Sequence, residues 1–136
     1  MQNPEYLRLS NPNQTVILVA EDEVLIRNVA QIVLESEGYF VLSANDGEEA
    51  LNLSRQYPGT IHALLSDVNM PNTNELQLRE RILFERPGTK VLLMSGQIAS
   101  PGDSIPFLRK PFGSAVLKER IRQLLDSAAS EQDQSS

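Results

Sequence analysis

Short, uninterrupted apolar runs alternate along the chain with longer segments of helical period. Thr15-Val16-Ile17-Leu18-Val19-Ala20 shows no apolar/polar alternation, the signature of a strand covered on both faces. Leu25, Val29, Ile32 and Val33 then fall at helical spacing, with Arg27, Gln31 and Glu35 on the other side. Gly38 stands where a C′ residue stops that helix. Tyr39 to Ala44 reads as a second strand. Asn45-Asp46-Gly47 offers a turn and an N-cap for a helix through Glu48, Ala50, Leu51 and Leu53, ending near Pro58. Ile61 to Ser66 is a third strand that delivers Asp67 at its end. A helix follows from about Asn74 to Arg86, halted before Pro87-Gly88. Lys90 to Met94 reads as a fourth strand running into Ser95-Gly96, and Phe107-Leu108-Arg109 as a short fifth closed by Lys110-Pro111. The last helix sets Leu117, Ile121, Leu124 and Leu125 on one stripe.

Strands alternating with helices, without an internal repeat, imply a parallel sheet with helices on both faces. The expected fold is a three-layer α/β sandwich of five strands. Residues 1–13 are expected to form an N-terminal arm, 14–126 a single domain, and 127–136 a polar, disordered C-terminal tail.

Composition narrows the chemistry. Cysteine is absent, which removes disulfides, thiolate metal sites and cysteine nucleophiles. The net charge is -6, from 18 acidic and 12 basic residues, which argues against unspecific nucleic-acid binding, since that needs a basic footprint. Met1 to Asn13 lacks the apolar segment of a signal peptide, and no apolar run approaches a membrane span. A cytoplasmic location is the expectation.

In a parallel sheet the carboxyl ends of all strands line one rim, where open α/β sheets place their ligands. The first strand brings Glu21 and Asp22 to that rim, the third Asp67, the fourth Ser95 and the fifth Lys110. Three carboxylates meeting there repel one another unless a cation joins them, and hard oxygen donors suit Mg²⁺. An aspartate can act as a nucleophile toward phosphorus, giving an aspartyl phosphate. Phosphoryl transfer needs mainly positioning and charge neutralisation, for which Lys110 and Ser95 are chemically suited. Each residue alone has a plainer role: Glu21-Asp22-Glu23 as helix-start acids, Asp67 as a turn residue, Ser95 as a loop hydroxyl, Lys110 as a solvated lysine. Their joint placement after apolar strands favours a site. His62, the only histidine, lies within a strand and reads as structural.

Over roughly residues 14–126 the chain resembles a receiver domain of two-component response regulators. The resemblance is carried by Val19-Ala20-Glu21-Asp22-Glu23, Asn45-Asp46-Gly47-Glu48-Glu49-Ala50, Ser66-Asp67-Val68-Asn69-Met70-Pro71, Leu92-Leu93-Met94-Ser95-Gly96 and Phe107-Leu108-Arg109-Lys110-Pro111-Phe112. It implies a flavodoxin-like sandwich with strand order 2-1-3-4-5 that takes a phosphoryl group from a sensor histidine kinase or a histidine phosphotransfer protein. It further implies Asp67 as phosphoacceptor. Asp22 and Asp67 would bind Mg²⁺ directly, Asn69 through its backbone carbonyl, and Glu21 through water. Ser95 would move toward the phosphate with Lys110 as its ion-pair partner, and Phe107 would be a switch aromatic. Output would pass through a downstream protein contact or a phosphorelay, with no output domain, no nucleic acid and no membrane.

The chain also departs from the pattern. Glu21 replaces the more usual Asp, and Asn74-Glu75 stands where an Asp-Gly pair is usual. Between Ser95 and Phe107, the span Gly96 to Pro106 holds two prolines and two glycines, too short and broken for a full helix. The family's fourth helix is therefore expected to be missing or vestigial. A phosphorylation-independent binding module on the same fold is the alternative reading. A phosphatase using Asp67 in turnover lacks the second aspartate it needs, since Asn69 occupies that place.

Overall fold

The computed structural model describes residues 13–68, 75–96 and 106–135, with side chains omitted at 75–76 and 128–135. Among these are five strands and four helices in strict alternation until the end: β1 (Val16–Ala20), α1 (Val24–Ser36), β2 (Phe40–Ala44), α2 (Gly47–Gln56), β3 (Ala63–Asp67), α3 (Glu75–Glu85), β4 (Lys90–Ser95), β5 (Phe107–Arg109) and α4 (Ser114–Ser135). The strands form one sheet in the order β2-β1-β3-β4-β5, every neighbouring pair parallel. This is the flavodoxin-like sandwich expected from the sequence. The segment expected to lack the family's fourth helix lies at 97–105, Asn69 lies in 69–74, and nearly all of the arm lies at 1–12. All three are outside the described residues.

The continuous apolar runs follow from burial on both faces. Val16, Leu18, Ala20, Leu42, Leu64, Val91 and Leu93 turn toward Ala50 and Leu53 of α2 and Leu78 and Ile82 of α3. Their sequence neighbours Ile17, Val19, Val41, Leu65, Leu92, Met94 and Leu108 turn toward Ala30, Val33 and Leu34 of α1 and Leu117, Ile121 and Leu124 of α4. Alternate residues thus feed two separate cores across one sheet.

Helix ends follow local chemistry. Asp46 caps α2, its Oδ1 accepting from Glu49 N–H at 2.8 Å, while Glu49 Oε1 accepts from Asn45 N–H at 2.6 Å. These reciprocal bonds occupy donors that the first turn leaves unpaired. Gly38, at φ +91°, ends α1 in the left-handed region that a side chain disfavours.

One expectation needs adjustment. Of the four positions of the α1 stripe only Val33 is buried; Leu25, Val29 and Ile32 are exposed, at 79%, 52% and 66%. The buried face is Ala30, Val33 and Leu34. Two apolar stripes run along this helix, and spacing alone selects neither. The backbone of α4 runs to Ser135.

At the strand-entry end, opposite the carboxyl rim, Arg86 closes the α2–β3 connection. Its guanidinium donates to Gly59 O, Ser54 O and Tyr57 O, each at 2.7 Å, and to Ser54 Oγ at 3.0 Å. His62 is structural, its Nδ1 accepting from Val16 N–H at 3.0 Å.

Candidate functional site

Four strand ends meet at the carboxyl rim. Asp67 is the last residue of β3 and Ser95 the last of β4, each almost fully buried. Glu21 follows β1 directly, and its N–H prolongs the ladder by donating to Ala44 O at 3.0 Å. Lys110 follows β5, and its N–H donates to Ser95 O at 2.8 Å. Carboxylate oxygens of Glu21, Asp22 and Asp67 lie within 4.8 Å of one another. The sequence thus brings together Glu21, Asp22, Asp67, Ser95 and Lys110 as expected from the rim argument. Phe107 begins β5 beside Leu93, half-buried against the α2–α3 core.

Lys110 is the ammonium of this cluster. Its Nζ lies 2.7 Å from Glu21 Oε1, 3.3 Å from Asp67 Oδ2 and 3.6 Å from Glu23 Oε1. Glu21 is fully buried, and its Oε2 accepts from Glu23 N–H at 3.1 Å. Burial pushes the Glu21 carboxyl up to about 7, against the opposing pull of Lys110 and the Glu23 amide. Burial alone would lower the Lys110 ammonium, but the Glu21 hydrogen bond and the Asp67 and Glu21 charges outweigh it and leave it raised. Three converging carboxylates facing one ammonium leave an excess of negative charge. Their hard oxygen donors fit a divalent cation such as Mg²⁺, so this donor set can hold one.

Two contacts were not foreseen from residue type or spacing. Arg27, within the first turns of α1, donates from NH1 to Glu21 O at 2.7 Å. Glu23 occupies the N-cap position of α1, yet its side chain makes no capping bond and reaches toward Lys110 instead. Beside these residues opens a cavity of about 500 Å³ whose walls include Leu25, Ile26, Val29, Pro111 and Phe112.

Fold and site together define a class: flavodoxin-like α/β domains that gather an acidic pocket, a hydroxyl and an ammonium at the carboxyl ends of parallel strands. A family model of the response regulator receiver domain matches residues 17–122, and the chain belongs to that family. Aerobic respiration control protein ArcA of Escherichia coli (strain K12) is 32% identical over 117 residues, covering 80% of this chain and 48% of that protein. The chain thus spans about half the length of that relative. The crystal structure of the receiver domain from hybrid histidine kinase CckA has a TM-score of 0.67 at 38% identity, covering 81% of this chain and 98% of that one. A CheY-like response regulator receiver domain protein from Methanospirillum hungatei JF-1 gives a TM-score of 0.78 at 25% identity, covering 88% and 99% respectively. Phosphorylation on aspartate is general to this family of two-component signalling domains. No described helix is long and apolar enough to cross a membrane.

Proposed function

We propose that this chain accepts a phosphoryl group on Asp67 from a phosphohistidine of a sensor histidine kinase or phosphotransfer protein, in a Mg²⁺-dependent reaction in the cytoplasm. The observation that carries this reading is the convergence of the Glu21, Asp22 and Asp67 carboxylates at the rim, with Lys110 on Glu21 and Asp67. An Asp67 carboxylate oxygen forms the new O–P bond as the N–P bond to the donor imidazole breaks, and the electron pair of the broken bond stays on the leaving imidazole nitrogen. Asp22 and Asp67 would hold the cation directly, with Glu21 acting through water and Asn69 through its carbonyl. The bound cation supplies charge neutralisation for the transferring group. Lys110 neutralises the phosphoryl oxygens from the other side, and Ser95 offers its hydroxyl to one of them. Phe107 would follow Ser95, carrying the change to a downstream protein partner or along a phosphorelay.

Exposed Leu25 and Val29 of α1 line the cavity beside the site, and with exposed Ile32 farther along the helix they offer an apolar landing surface for the donor. The chain's role is that of a phosphoacceptor without substrate turnover. Incubation with acetyl phosphate and Mg²⁺ should give an acid-stable, base-labile adduct that Asp67→Ala abolishes. An unlabelled wild-type protein with every donor, candidate kinases included, would leave only the phosphorylation-independent binding module.

A further inference from the structure

The geometry points to Arg27 as a positioning residue for the cation-binding carboxylate of Asp22, an inference that rests on the metal role proposed for that residue. Glu21 has left the sheet on one side: its N–H still bonds Ala44 O, but its carbonyl is held by Arg27 NH1 at 2.7 Å. The Arg27 backbone N–H simultaneously donates to Glu23 O at 2.9 Å, and Glu23 N–H donates to Glu21 Oε2 at 3.1 Å. Arg27 therefore grips the turn at both ends, and Asp22 lies between the two grips. The Glu21 carbonyl belongs to the peptide plane that enters Asp22, so holding that carbonyl restrains the backbone from which the Asp22 carboxylate reaches toward Asp67.

Charge and position make opposite forecasts for this arginine. A guanidinium bonded to the Glu21 carbonyl, beside the acidic rim, repels a divalent cation, so by field alone its removal tightens cation binding. By positioning, its removal releases the Glu21–Asp22 peptide and weakens binding. The sign of the change separates the two.

Calorimetric Mg²⁺ titration of the whole chain, at fixed ionic strength and below the unfolding transition, should show Arg27→Met binding about tenfold more weakly, the low end for partners that orient metal ligands. Arg27→Lys keeps one donor and should stay within about twofold of wild type. Equal or tighter binding by Arg27→Met overturns the assignment. Amide hydrogen exchange in metal-free protein gives a second reading that needs no cation. The Glu23 amide should exchange about tenfold faster in Arg27→Met while the amides of β1 keep their rates, and an unchanged Glu23 amide overturns the assignment as well. A wild-type protein without saturable Mg²⁺ binding would instead sink the cation role of the site, with the exchange experiment still deciding the question of Arg27.

Discussion

Replacing Lys110 by Met tests how the rim balances its charges. The ammonium is only 11% exposed and touches two buried carboxylates, at 2.7 Å on Glu21 and 3.3 Å on Asp67. Removing one partner of a buried ion pair generally costs about 3–5 kcal/mol, because the remaining charge is left uncompensated. Here the penalty depends on pH through Glu21. Its carboxyl is raised from 4.5 to about 7 in the folded chain. The folded state therefore holds a proton that the unfolded state has released, and stability falls as pH rises across that window, by up to about 3 kcal/mol at 1.36 kcal/mol per pH unit. Lys110 is one of the groups that pull Glu21 down, so its loss lengthens the window upward and deepens the total fall. At pH 5 Glu21 is protonated with or without the lysine, leaving the Asp67 contact and the methylene packing as the differences. Metal-free Lys110→Met should lose about 3 kcal/mol at pH 8 and about 1 kcal/mol at pH 5. Urea unfolding followed by circular dichroism in the presence of a chelator measures both. An equal loss at the two pH values, or a larger one at pH 5, would refute the electrostatic account of this site.

Two further outcomes follow from the same coordinates. Arg86→Ala removes four hydrogen bonds that join the end of α3 to the α2–β3 connection, and urea unfolding should show a loss of about 2–3 kcal/mol, with labelling by acetyl phosphate retained in the folded protein. Ile32→Glu changes an exposed residue of α1, so stability should stay within about 0.5 kcal/mol while transfer from a cognate kinase falls and labelling by acetyl phosphate does not. Equal slowing with both donors would place the effect at the chemistry instead of the docking surface.

What could be read before the structure, and what could not, divides along physical lines. The rim was legible because Asp67, Ser95 and Lys110 each follow an apolar run, and a parallel sheet brings such positions to one edge. The α1 phase was legible only in part, because Leu25, Val29, Ile32 and Val33 form as good a stripe as the Ala30, Val33 and Leu34 that are buried, and only Val33 belongs to both. Alanine at the centre of the true face weakens its apolar signal. The contact between Arg27 and Glu21 left no trace in residue type, since a backbone carbonyl accepts from any suitable donor the fold delivers. The first residues of β3 were also overrun: Ile61 is buried and His62 bonds into the sheet, but the strand itself begins at Ala63.

The strand that carries Lys110 spans only Phe107–Arg109 and lies at the margin of the sheet. Besides its pairing with β4, it is fastened by Leu93 N–H on Pro106 O at 3.1 Å, Lys110 N–H on Ser95 O at 2.8 Å and Arg120 on Phe107 O at 2.6 Å. So short a margin detaches at a lower free energy than the interior strands. Each such excursion would carry the counter-ion away from acids that stay anchored in the middle of the fold. The pocket's charge balance is thereby coupled to a local fraying event that leaves the central strands intact.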